Sequence, residues 1–213
     1  MSEKTNIILI CGGSCSGKTT LAVNLRETLS EFGSVSALSM DNYYFDLSDW
    51  DPIEADNKNF DCPDAVNSDL LLEDLERLID GKKISERLYN YKTHHNKTLD
   101  TWIEPADFVI VEGIFTLYFE KLRSLASANV FVHADADIRL ARRVERDIAD
   151  RHLPLELVLK QYLQDVRPMH VKYIEPYSRY ADLIINSNFT TSEENLEKTL
   201  NFLRNHLIIN EKK

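Results

Sequence analysis

Asn6-Ile7-Ile8-Leu9-Ile10-Cys11-Gly12-Gly13-Ser14-Cys15-Ser16-Gly17-Lys18-Thr19-Thr20 is an apolar run that gives way to a loop of glycines and small polar residues. The uninterrupted stretch reads as a strand, Asn6–Cys11, buried on both faces as in parallel sheets covered by helices. Gly12 to Thr19 fits GxxxxGK[ST] in full. Glycines let such a loop wrap its backbone N–H groups around phosphates, and the following helix adds the positive end of its dipole. Gly12, Gly13, Ser14, Cys15, Ser16, Gly17, Lys18, Thr19 and Thr20 are therefore the candidate phosphate-binding residues, Lys18 reaching the β- and γ-phosphates and the Thr19 hydroxyl ligating Mg²⁺. A chance Gly/Ser-rich turn fits less well, because the motif follows a strand and opens a helix. That helix is predicted over Lys18–Phe32, with Leu21, Leu25 and Leu29 on one face and Gly33 closing it.

Outward from this point, short apolar runs alternate with helix-period segments. Val35–Met40, Phe108–Val111, Val130–His133 and Leu183–Ile185 read as further strands, and Asp69–Asp80, Ala136–Arg151 and Glu193–Leu207 as helices, with another after Pro154. Asp46–Pro63 reads as loop. Lys83–Ile103 differs, placing Tyr89, Tyr91, Thr93, Thr101 and Trp102 around a polar centre, which predicts a β-hairpin. The expected fold is α/β: a P-loop NTPase-type parallel sheet of about five strands, helices on both faces, and an inserted hairpin at about residues 83–104. One domain over residues 1–213 suffices for this length.

The chain carries 25 Lys+Arg against 35 Asp+Glu, a formal net charge of −10. Such a balance disfavours a general nucleic-acid binder. The acidity is local: residues 41–80 hold thirteen acids and two bases, so that block is −11 and the remainder +1. No run approaches the ~20 apolar residues of a membrane span, and Met1–Thr5 lacks a signal-peptide layout. Three cysteines without CxxC spacing suggest neither a disulfide framework nor a zinc site, and so a cytoplasmic setting.

Two strand-end carboxylates invite chemistry, because ligands of α/β sheets gather at the carboxyl ends of strands. Glu112, after Phe108–Val111, is placed to hold Mg²⁺ through water, or is a surface acid. Asp41, after Val35–Met40, is placed to accept a proton from an attacking hydroxyl, or is an ordinary turn aspartate.

Several motifs together resemble the uridine kinase family. They are the Gly12–Thr20 loop, Asp41-Asn42-Tyr43-Tyr44, Asn59-Phe60-Asp61-Cys62-Pro63-Asp64-Ala65, Tyr89-Asn90-Tyr91-Lys92-Thr93-His94, Glu112-Gly113-Ile114, Asp135 to Arg143, Arg146-Asp147-Ile148 and Tyr180 to Ile185. They stand in family order over roughly residues 6–186. The resemblance implies ATP- or GTP-dependent phosphorylation of the 5′-hydroxyl of a pyrimidine ribonucleoside, uridine or cytidine, in pyrimidine salvage. It implies Asp41 as catalytic base and Phe60, Asp61, Tyr89, Tyr91, His94, Arg143 and Gln161 as nucleoside contacts. It further implies Arg146 facing the transferring phosphoryl group and Arg151 in a lid at about residues 147–156. Mg²⁺ is the implied metal, bound by Thr19 and Glu112, and a homotetramer the implied assembly. The physics agrees: carboxylates accept bonds from ribose hydroxyls, aromatic faces suit a flat base, and guanidinium forks suit spread phosphoryl charge.

Three departures set this chain apart. The lid reads Arg151-His152-Leu153 where the family has Arg-Gly-Arg. His95-Asn96 replaces Ser-Arg, and Cys62 a histidine. Asn186-Ser187-Asn188-Phe189 replaces a Pro-Gly-rich segment near the adenine. The alternatives are a kinase of another small alcohol, such as nicotinamide riboside, phosphoribulose or pantothenate, and a regulatory nucleotide-binding module with weakened catalysis. A GTPase switch is disfavoured, since Asn96-Lys97-Thr98-Leu99 lacks the closing Asp of the guanine-reading motif.

Overall fold

The computed structural model describes residues 5–56 and 58–207; the N-terminal residues 1–4 read for a signal layout lie outside these. Five strands form one parallel sheet: β1 Asn6–Gly12, β2 Val35–Ser39, β5 Phe108–Gly113, β6 Ala128–His133 and β7 Leu183–Asn186, in the spatial order β2-β5-β1-β6-β7. The two remaining strands, β3 Ile84–Asn90 and β4 His95–Ile103, pair antiparallel as a separate hairpin. The α/β expectation, the strand count and the hairpin are all met.

Burial follows position in the sheet. Central β1 and β5 are buried almost throughout, whereas edge strands β2 and β7 alternate. Side chains alternate across β1, so its two faces feed two cores. Ile7, Leu9 and Cys11 pack with Val109, Val111, Phe115 and the leucines of α3 (Ser68–Ile79). Ile8 and Ile10 pack with Ile110, with Leu21, Leu25 and Leu29 of α1 (Lys18–Leu29), and with Leu203 of α8 (Ser192–Leu207).

Helix ends follow capping chemistry. The Asn67 side chain accepts from Leu70 N at 3.1 Å to start α3. At α8, Thr191 N donates to Glu194 Oε2 at 2.7 Å and Glu194 N to Thr191 Oγ1 at 3.2 Å, a reciprocal capping box. Helix α1 stops three residues before the predicted Phe32, and Phe32 and Gly33 instead close a turn onto the Leu29 carbonyl. The predicted loop Asp46–Pro63 contains a one-turn helix, α2 (Pro52–Asp56), started by Asp51, whose Oδ1 accepts from Ile53 N at 2.9 Å. Helix α4 (Glu120–Leu125) is not expected from the sequence, being too short for a clear period, and the helix expected after Pro154 runs on through a π turn at Tyr162–Val166 into α7 (Arg167–Tyr173). The charged helix α5 spans Ala136–Ala149, two residues short of the prediction, and a connector with His152 at φ 57° leads into α6 (Leu155–Gln161).

One close approach sets the carboxyl edge of the sheet. A Cβ placed on Gly113 would collide with Met40 Cβ, so only glycine lets the chain after β2 turn tightly over β5. Asp41 follows directly, in the 3₁₀ turn Met40–Tyr43. Gly113→Ala is expected to cost about 1–3 kcal/mol by overpacking, read as a lowered urea midpoint.

Candidate active site

Parallel register brings the carboxyl ends of β1, β2 and β5 together. Glu112 is the register partner of Ile10 on one side and Ser39 on the other. Ser39 Oγ donates to Glu112 Oε1 at 2.7 Å, and Thr19 Oγ1 donates to Oε2 at 3.3 Å. Lys18 Nζ stands 4.0 Å from the same Oε2. Burial pushes the Glu112 carboxyl above its ordinary pKa, and Lys18 pulls it back. Glu112 is thus no surface acid: it is 7% exposed and faces the loop.

Beside that loop opens a cavity of about 510 Å³, lined by Cys15, Gly17, Lys18, Thr19, Thr20, Arg142, Arg146, Ser187 and Asn195 among others. Arg142 was not among the predicted site residues. Its guanidinium donates to Ser187 O at 2.7 Å and to Ser187 Oγ at 3.3 Å, which fixes the departing Asn186–Phe189 segment as a wall of the cavity.

The hairpin closes over the other side of Asp41. Tyr91 Oη donates to Asp41 Oδ2 at 2.8 Å. Tyr89 Oη and His94 Nδ1 are 3.2 Å apart, and the His94 ring stacks on Phe60 with planes 5° from parallel. Asp61 begins from the same loop: Asn59 Oδ1 accepts from its backbone N at 2.9 Å, and Asn59 Nδ2 donates to Asp165 Oδ1 at 3.1 Å. Burial raises the Asp61 carboxyl, Arg143 opposes the rise, and Asp165 and Asp41 add to it. Gln161, half-buried, ends α6 immediately before the π turn that carries Asp165. Such turns recur at functional sites.

Helix α5, rich in charge of both signs, includes a fully buried acid, Asp147, at the centre of an arginine cluster. Asp147 Oδ1 meets Arg146 Nη2 at 2.8 Å and Arg151 Nε at 3.5 Å, and Oδ2 lies 3.2 Å from Arg143 Nε. Arg143 Nη1 continues to Ser14 Oγ of the loop at 3.3 Å. The Arg151 guanidinium lies over the Tyr91 ring, 5.2 Å from its centroid. Three predicted arginines are therefore gathered by one acid, Asp147, to which the sequence motif Arg146-Asp147-Ile148 by itself gives no role.

The departure at His95-Asn96 also acquires a part. Asn96 Nδ2 donates to Asn42 O at 2.9 Å and Tyr44 O at 2.8 Å, and Asn96 N donates to Asp46 Oδ2 at 3.1 Å. His95 Nε2 approaches that carboxylate at 3.4 Å, and Tyr89 N donates to Asn42 Oδ1 at 3.2 Å. The hairpin is thereby tied to the turn bearing Asp41.

A family model described as the phosphoribulokinase/uridine kinase family matches residues 7–193. The chain belongs to that family. It is 44% identical over 179 residues to the uridine kinase of Brevibacillus brevis, covering 84% of this chain and 83% of that one. To the uridine kinase of Halalkalibacterium halodurans it is 43% identical over 185 residues, covering 87% of each. A solved structure described as a possible uridine kinase from Bacillus stearothermophilus superposes with a TM-score of 0.59 at 18% identity, over 87% of this chain and 90% of that one, a likeness of fold. The chain is a phosphotransferase, a kinase acting on a small molecule with a nucleotide co-substrate. No helix among the described residues is long and apolar enough to cross a membrane.

An Asn96→Asp substitution sets a carboxylate against two carbonyl oxygens. It is expected to lower stability by about 2 kcal/mol, and by more than Asn96→Ala does, in urea unfolding.

Proposed function

We propose that this kinase phosphorylates the 5′-hydroxyl of a pyrimidine ribonucleoside, uridine or cytidine, from ATP or GTP, within pyrimidine salvage. The observation that carries the reading is the bond from Tyr91 to Asp41, which joins an aromatic hairpin to a strand-end acid flanking the phosphate loop. An acceptor lying between Phe60, Tyr89 and His94 has aromatic faces for its base, and Asp61 as an acceptor for its ribose hydroxyls. The resemblance of these motifs to uridine kinases, and the names of the relatives, point to the same substrate class.

In this reading Asp41 orients the 5′-hydroxyl and takes its proton as the oxygen attacks the γ-phosphorus. Lys18 and the loop amides hold the β- and γ-phosphates. Arg143, Arg146 and Arg151, fixed by Asp147, offer planar donors to charge that spreads over the transferring oxygens. Residues at about 147–156 act as a lid whose Arg151 can follow the hairpin through Tyr91, excluding water.

A magnesium ion suits the oxygen set on the donor side. Thr19 Oγ1 and the Glu112 carboxylate face each other at 3.3 Å. One hydroxyl and one carboxylate, completed by phosphate and water, is the usual protein share for this hard cation. When bound it would neutralise negative charge on the nucleotide's β- and γ-phosphates. The described cysteines are free, which suits a cytoplasmic enzyme.

Two measurements test the reading. An ATP-coupled assay over uridine, cytidine, their deoxy forms, purine ribosides, nicotinamide riboside and pantothenate is expected to favour uridine and cytidine. Comparable rates on purine ribosides would sink the pyrimidine assignment, and a preference for pantothenate would remove the nucleoside. Asp41→Asn is expected to lower kcat by roughly 10²-fold or more while nucleotide affinity changes little; near-normal turnover would remove Asp41 as the base.

A further inference from the structure

Helix α5 buries three charged residues in one row, Arg139, Arg143 and Asp147. Asp147 answers Arg143, but Arg139, one turn nearer the helix start, has no carboxylate within ion-pair distance among the described residues. Arg139 is 3% exposed. Its Nε donates to Ala134 O at 3.0 Å, while its Nη1 is buried without a hydrogen-bond partner. Burial disfavours its charged form, and Tyr162, Glu175 and Asp135 only partly offset it.

The neighbour that shares this space cannot supply the missing charge. His170 on α7 is 9% exposed, and its Nδ1 also lacks a partner. Burial, with Arg139 and His133 nearby, pushes its pKa down to about 4, so the imidazole is neutral at ordinary pH. Both orphan atoms press on one point of the phosphate loop. A Cβ on Gly13 would lie 2.9 Å from Arg139 Nη1 and 2.8 Å from His170 Nδ1. Gly13 is therefore glycine because a guanidinium and an imidazole fill the space behind it.

A buried guanidinium without an anion is destabilising, and an arrangement that leaves one directly behind an anion-binding loop has an evident compensating charge. We propose that Arg139 is a positioning residue for the nucleotide's polyphosphate, its charge held against the back of Gly13 and compensated when phosphates fill the front of the loop. Neutral His170 walls the guanidinium in without competing for the phosphates. The cation thus strengthens nucleotide binding and weakens the nucleotide-free protein. The inference rests on reading Gly12–Thr19 as the phosphate loop, and is independent of which acceptor is used.

Calorimetric titration of ATP and ADP, without acceptor, into wild type, Arg139→Met and Arg139→Lys tests it, alongside urea unfolding of each nucleotide-free protein. Arg139→Met is expected to weaken both nucleotides roughly tenfold with a urea midpoint equal to or above wild type. Arg139→Lys, which keeps the charge, should stay within about threefold of wild-type affinity. Wild-type affinity in Arg139→Met would overturn the proposal, as would an equal loss in Arg139→Lys, or a lowered midpoint in Arg139→Met, which marks a packing role. Absence of ATP binding in wild type would instead overturn the phosphate-loop reading itself.

Discussion

The carboxylate of Glu112 is the point on which the site is assembled. Three chain segments reach it: Ser39 from the end of β2, Thr19 and Lys18 from the start of α1, and Glu112's own strand β5. A parallel register one residue different would turn Glu112 to the opposite face and break all of these at once. Buried on both sides, β1 and β5 cannot slip in that way, so the core fixes the chemistry's geometry before any substrate binds.

From that point two carboxylates diverge. Glu112 sits inside the sheet's edge and faces the phosphate loop, whereas Asp41, one tight turn beyond β2, faces the hairpin through Tyr91. The arginines answer from the opposite wall, held as a group by buried Asp147. This division explains the uneven charge of the sequence. In the proposed reading, the acidic block that opens at Asp41 and contains Asp61 would serve the acceptor, and the loop and the α5 arginines the phosphate donor. Acids such as Asp69 and Asp80 are exposed and belong to neither.

Much of this was legible in the chain. The apolar run before Gly12 announces a doubly buried strand, and the leucine spacing of α1 and α3 announces helices, because both periods are local. The phosphate loop is legible for the same reason, its residues being contiguous. What escaped is non-local or short. Asp147 and Arg139 look like any charges on an exposed helix, since i,i+4 spacing is the same whether the face meets water or the loop. Asn96 reads as a hairpin-tip residue until its partners, some fifty residues earlier, are brought beside it. Helices of one or two turns, such as α2 and α4, lack enough residues to show a period.

The central claim is that the two strand-end carboxylates have separate duties, Glu112 for the donor's metal and Asp41 for the acceptor. The most direct test is the magnesium dependence of ATP affinity, measured by titration calorimetry with and without Mg²⁺ in Glu112→Gln and Asp41→Asn. The account predicts that Glu112→Gln removes most of the gain that magnesium gives to ATP binding while Asp41→Asn keeps it. An undiminished magnesium gain in Glu112→Gln, or an equal loss in Asp41→Asn, would contradict it.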